Sequence, residues 1–219
     1  MDLEDTIRTT ASVREFSSSP PPEDLIYRAL ELARFAPSGG NRQGWRVIVI
    51  RDPEMRRQLA ANYLETWKQY VEKWYAGDLT AGRQRKLDEA NRFATSISEI
   101  PVHLAVWVDI RTLEITDAHL DRPSVVAGGS IFPFVQNFAL ACRSLGLGTR
   151  VTTLLSSRES ILRRLLAVPD SYALAAVILV GKPLREITKL SRHPVEDFAT
   201  LDSYDGPPLS TGADPGPTD

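Results

Sequence analysis

The sequence predicts a sandwich of helices and strands, α/β or α+β in class. Short runs of β-branched and aromatic residues alternate with longer stretches of helical periodicity, and no repeat of solenoid length interrupts that order. The chain has 219 residues, 42% of them hydrophobic and 25% charged, which is the usage of a folded globular protein with one domain and an appendage.

Ser17-Ser-Ser-Pro-Pro-Pro22 stiffens the backbone and cannot continue a helix, so the first confident helix begins after it. Leu25, Ala29, Leu32, Ala33 and Ala36 form one apolar face, which Pro37 and Gly39-Gly40 bring to a stop. Residues 37–43 are therefore a loop, and Trp45 to Ile50 reads as a buried strand closed by Arg51-Asp-Pro53. Residues 53–98 are helical and break near Gly77 to Gly82. A strand is predicted over 102–108, then a long core helix over 125–145 in spite of Pro133, whose apolar positions Ala127, Ile131, Phe134, Phe138, Cys142 and Leu145 share a face. A strand over 149–153, a helix over 158–166 and a strand over 174–180 follow. The last twenty residues hold four Pro and three Gly among few apolar groups, too little to fold alone.

Composition excludes several functions. A net charge of −2 leaves no basic surplus for a phosphate backbone, so no nucleic-acid partner is expected. The single cysteine, Cys142, excludes an internal disulfide framework and thiolate metal cages. The apolar run 173–180 is too short to cross a bilayer and the acidic first residues carry no apolar leader, so a cytoplasmic protein with no membrane partner is the expectation. His103, His119 and His193 are not spaced as metal ligands, and no metal site is expected. Gly146-Leu-Gly148 follows a helix instead of a strand and lacks the third glycine of a dinucleotide fingerprint, while Walker A and nucleophile-elbow sequences are absent. With few groups for acid–base or nucleophilic work, and no catalytic side chain assigned, a bound organic cofactor is the favoured chemical agent.

Polar islands stand at the ends of the apolar elements: Ser12-Val-Arg14-Glu-Phe16, Ala36-Pro-Ser-Gly-Gly-Asn-Arg-Gln-Gly-Trp45, Gly146-Leu-Gly-Thr149, then Gly181-Lys-Pro183 and Arg192-His-Pro194. Each alone reads as a solvated charge, a helix stop or a C-cap. Their order and spacing resemble the nitroreductase family of flavoproteins over about residues 5–198, the second island being the most specific. The resemblance implies an α+β fold, a nitroreductase-like α-β-α sandwich with a central mixed or antiparallel sheet, in an intertwined homodimer. It implies an FMN-binding domain over residues 1–198 and a Pro/Gly-rich C-terminal tail over 199–219.

It also implies an oxidoreductase that moves hydride by turns from NADH or NADPH, through flavin N5, to a small electron-poor acceptor such as a nitroaromatic, a quinone or an activated alkene. Arg14 and Arg192 would hold the dianionic phosphate bidentately, with Ser12 and Lys189 helping. Pro37, Ser38, Gly39, Asn41 and Gln43 belong to a loop that in similar proteins reaches the flavin of the other subunit. Thr152, Thr153 and Leu154 form the turn that aims a backbone N–H at N5. Where the family carries arginines this chain has Thr10-Ala11, which removes a phosphate partner; Gly44 stands where proline is usual. Tyr63, Trp67, Tyr70 and Trp74 make an aromatic helix face whose favoured explanation is core or dimer packing; Trp67 and Tyr70 are the candidates for stacking on substrate. The alternative function is a flavin-binding or flavin-sequestering protein with little turnover, and a third reading is a cofactor-free dimeric module.

Overall fold

The computed structural model describes residues 1–75, 77 and 79–210. These fall into two units, Met1–Ile187 and the second beginning at Thr188. The residues 188–198 that the sequence groups with the domain lie in the second unit.

In the first unit, four strands form one antiparallel sheet in the order β1-β2-β4-β3: β1 Trp45–Ile50, β2 Val102–Asp109, β3 Gly148–Thr152 and β4 Tyr172–Gly181. β2 is buried along its whole length, which explains why it reads as a continuous apolar run. Its even-numbered residues, Leu104, Val106 and Val108, pack under α2 (Glu23–Ala33) and α5 (Ile131–Ser144); Ala105 and Trp107 face a second core built with α3 (Pro53–Trp74), α4 (Ala81–Ser96) and α6 (Glu159–Leu165). This is the α+β sandwich, with an all-antiparallel sheet.

Local chemistry sets the element ends. Asp52 caps α3 by accepting from the Met55 N–H at 2.8 Å, and Pro53 occupies a first-turn position that needs no donor. Pro133 is tolerated because α5 starts at Ile131, several residues later than the periodicity predicts, so the proline sits in the first turn. A short helix the sequence did not predict, α1 (Leu3–Thr9), is capped by Asp2, whose carboxylate accepts from Asp5 N at 2.8 Å.

After α1 the chain runs extended beside the sheet. Ser12 pairs with Thr149 in parallel, Val13 N donates to Thr149 O at 2.9 Å, Ser17 N to Lys182 O at 2.8 Å, and Leu184 N to Glu15 O at 3.0 Å. The second unit has a short 3-10 turn at Val195–Asp197 and a bridge between Thr200 and Pro208. The remainder of the tail, 211–219, lies outside the described residues.

Candidate functional site

The extended segment fixes Ser12 and Arg14 at the rim of an open cleft of about 620 Å³. Its other walls are one face of α4 (Glu89, Arg92, Phe93, Ser96) and the chain after β4 (Arg185, Ile187). Backbone pairing to Thr149 orients the segment, and strand alternation sends the Ser12 and Arg14 side chains to the same side. Arg185 approaches Glu15 at 3.5 Å with both side chains exposed, a weak contact. Among the described residues, neither Arg14 nor Arg92 has a carboxylate within ion-pair distance.

Below the cleft lies a polar pocket of the core. The Arg150 guanidinium stacks on the Phe93 ring at 3.7 Å from the centroid, and its buried Nη1 has no hydrogen-bond partner. Burial pushes this guanidinium below its usual value, with the neighbouring Arg14 charge acting in the same direction. Tyr63, 2% exposed, lies within reach of Arg150 and Thr152, and burial raises its phenol.

The turn after β3 is adjacent. Thr152 is buried and its hydroxyl accepts from Leu154 N at 3.3 Å; Thr153 is exposed, and a 3-10 helix begins at Leu154. The Leu154 N–H is thus partly engaged by its own turn.

The loop Pro37–Gln43 is built for a strained shape. Gly40, Asn41 and Gln43 all have left-handed φ (59°, 53° and 49°), which glycine and asparagine accept readily and glutamine does not. Ser38 and Ser130 hold the shape: Gln43 N donates to Ser38 Oγ at 3.1 Å, and Gly39 N to Ser130 Oγ at 3.0 Å. The amide of Gln43 donates to Asn41 Oδ1 at 3.1 Å, so the two predicted side chains engage each other. Gly44 has a steric reason, since a Cβ there would stand 2.0 Å from Thr112 Oγ1.

Within one chain this loop and the cleft are far apart. The loop leads into Trp45, which pairs with Val108 and so lies level with Ala173 of β4; Ser12 is level with Thr149 and Val180, at the other end and on the other edge. Strand spacing and rise put the two on the order of 25 Å apart.

The remaining predicted residues are distributed as follows. Lys189 and Arg192 fall in the second unit, both exposed, with Arg192 donating to Ser191 O at 2.7 Å. Trp67 is buried at 9% exposure, its indole N–H donating to Asn91 Oδ1 at 2.7 Å, and it stacks on Tyr70 with ring centroids 5.5 Å apart. Trp67 therefore packs in the core, and of the four aromatic residues on this face of α3, Tyr70 and Trp74, 38% and 59% exposed, offer aromatic surface. Asp117 beside His119 is a loop anchor: it accepts from Ser124 Oγ, Arg122 Nη1 and Val125 N, and these bonds, the serine's foremost, hold its carboxyl down at about 2. Among the described residues no cluster of three metal-ligating side chains exists, and no helix is long and apolar enough to cross a membrane.

Sequence reading missed Arg92, Arg150 and Arg185. Arg92 sits among Glu89, Phe93 and Ser96 at helical spacing, a pattern indistinguishable from a solvated face until the segment Ser12–Glu15 forms the facing wall of the cleft. The signal for Arg150 was its place two residues before Thr152, hence on the same strand face.

These features define a class: an antiparallel α+β sandwich with an arginine-lined cleft at its sheet edge. Residues 7–182 match the nitroreductase family, and the chain belongs to it. A Methanothermobacter thermautotrophicus relative described as an NADH dehydrogenase/NAD(P)H nitroreductase is 27% identical over 207 residues, covering 94% of this chain and 84% of that protein. A 5,6-dimethylbenzimidazole synthase of Rhodobacter capsulatus is 29% identical over 188 residues, covering 83% of each. In fold, the chain superposes on oxidized iodotyrosine deiodinase bound to FMN and 3-iodo-L-tyrosine with a TM-score of 0.72, at 22% identity, covering 93% of this chain and 100% of that one.

Proposed function

We propose that the protein is an FMN-dependent oxidoreductase of two-fold symmetric dimers, reduced by NADH or NADPH and reoxidised by a small electron-poor acceptor in alternating half-reactions. The observation that carries the reading is the cleft in which backbone pairing holds Ser12 and Arg14. Its lining has three guanidinium groups, Arg14, Arg92 and Arg185, against two carboxylates, Glu15 and Glu89, and Arg150 adds a fourth positive charge behind Phe93. Four against two leaves a surplus of two, which matches a phosphate dianion. The donor set therefore fits the group.

FMN, when bound, supplies a two-electron carrier that accepts and donates hydride at N5. The chain's own contribution is to bind and orient it. Arg14 and Ser12 give charged and neutral donors to the phosphate. Thr152 ends β3 near the cleft, and Thr153 and Leu154 form the turn after it, whose backbone N–H groups are the proposed donors to the ring. Arg192 remains a proposed phosphate ligand beside Arg14, with Lys189 helping, and Tyr70 the proposed aromatic surface for the acceptor, with Trp67 backing it through the stack.

A second copy completes the arrangement. Pro37, Ser38, Gly39, Asn41 and Gln43 cannot reach their own chain's cleft across about 25 Å, but the same loop of a partner can. An apolar surface suited to that partner lies on α1, α2, the turn after α2 and α5, where Leu3, Ile7, Leu32, Phe35 and Phe132 are exposed at 70%, 55%, 51%, 71% and 43%.

The purified protein should be yellow, should bleach when NADH or NADPH is added without oxygen, and should recover its colour with a nitroaromatic or quinone. A yellow protein that does not bleach would favour flavin storage over turnover, and a colourless one that takes up no FMN would remove the flavin reading.

A further inference from the structure

Resting on that flavin reading, we propose that Arg92 of α4 is a further phosphate-binding guanidinium, occupying the role left open by Thr10-Ala11, and that the cofactor thereby tethers α4 to the N-terminal segment. Thr10 and Ala11 cannot serve: they line a separate recess of about 10 Å³ with Arg143 and Leu147. Arg92 lines the same cleft as Arg14 from the opposite wall. Each lacks a carboxylate partner among the described residues, so neither charge is already spent within the chain.

Position reinforces charge. Arg92 precedes Phe93, whose ring is 3% exposed and clamped between the second core and the Arg150 guanidinium. The backbone at residue 92 is thus fixed by a buried neighbour while its own side chain stays exposed to the cleft. Arg150 beneath the ring raises the positive potential without touching the ligand. The two acidic side chains in the cleft do not cancel this: Glu15 faces Arg185, and Glu89 makes no ion pair with Arg92.

A second consequence follows for α4 as a whole. Its outer face is polar and exposed from Ala81 to Lys86, and only Leu87, Phe93 and Ala94 are buried, so the helix is held by few apolar contacts. A ligand bridging Arg92 to Arg14 would join it to the sheet edge, and amide exchange along 81–96 should slow when that ligand binds.

The test uses the full chain stripped of flavin and titrated with FMN and, separately, riboflavin, which has the same ring and no phosphate. Arg92→Ala should weaken FMN binding on the order of 10-fold to 100-fold, the scale of one lost charge-assisted contact, and leave riboflavin affinity within about 2-fold. Arg92→Lys should recover part of the loss, and FMN but not riboflavin should slow exchange in 81–96 of the unsubstituted protein. Equal FMN affinity in Arg92→Ala and the unsubstituted chain would overturn the assignment while leaving the flavin reading intact. Parallel losses for both ligands would also overturn it, because they report a structural role. Failure of the unsubstituted chain to bind either ligand would remove both.

Discussion

The two faces of the sheet are packed by different rules. On the α2/α5 side the core is a continuous set of aliphatic and aromatic side chains, from Ile26 and Ala29 through Val106 and Ile178 to Phe134 and Phe138. On the α3/α4/α6 side, the buried polar atoms without hydrogen-bond partners in the described residues accumulate: Arg56 Nε, His103 Nδ1, Trp107 Nε1, Arg150 Nη1 and Arg163 Nε. Each orphan costs about 1–3 kcal/mol relative to a paired group. An even distribution would be expected if stability alone governed packing. The polar face adjoins the cleft through Phe93 and Arg150, so the unpaired polar atoms gather on the side of the sheet that carries the proposed site.

The largest effect should come from the apolar face. Phe138 is fully buried in the middle of α5, against Leu104, Val106 and their neighbours. Phe138→Ala should destabilise the fold by about 3–5 kcal/mol, through lost transfer energy and a residual cavity. Urea unfolding would measure it, and a loss under about 1 kcal/mol would contradict a tightly packed scaffold face.

His103 sharpens the contrast by pH. It is fully buried on the polar face, its Nε2 is 3.0 Å from Ile97 O, and burial drives its pKa from 6.5 down to about 4. Above pH 6.5 the ring is neutral folded and unfolded, and nothing is lost. As pH falls from 6.5 toward 4, the unfolded chain takes up a proton that the folded one refuses, so stability declines across that window and levels off below it. The gap corresponds to about 3 kcal/mol. Unfolding free energies measured from pH 7 to pH 4 should slope for the natural chain and flatten for His103→Gln; identical slopes would mean the ring is not held neutral by the fold.

Much of this architecture is legible in the sequence, for identifiable reasons. Strands β1, β2 and β4 announce themselves by β-branched runs, and the break between α3 and α4 by its glycines. The start of α5 was predicted too early because Val125 and Ala127 continue the apolar period although their backbone forms a loop and a 3-10 turn. α1 was missed because a short helix with exposed Leu3 and Ile7 has no buried stripe to reveal it. Of the residues lining the cleft, Ser12 and Arg14 stand out in the sequence because they lie in one contiguous motif. Arg92 and Arg185 do not, since each becomes significant only when segments distant in the chain converge. The aromatic face of α3 shows the limit most clearly: Trp67 and Tyr70 are three residues apart and look equivalent in sequence, but α4 covers the first and leaves the second open.

The smallest effect tests whether polar groups on the α3/α4 side are costly in themselves or only when unpaired. Trp67 Nε1 donates to Asn91 Oδ1 at 2.7 Å, one of the satisfied contacts on that face. If pairing is what matters, Asn91→Ala should cost about 1–2 kcal/mol by stranding the indole N–H, more than a half-exposed side chain's own burial would cost. Trp67→Phe in the same background removes the donor as well, so the second substitution should be less damaging there than in the natural chain. A double-mutant cycle measured by urea unfolding should give a coupling of about 1 kcal/mol. Additive losses would mean that the hydrogen bond contributes nothing net, and the orphaned atoms on this face would then carry no special penalty either, leaving shape rather than polarity as the difference between the two sides.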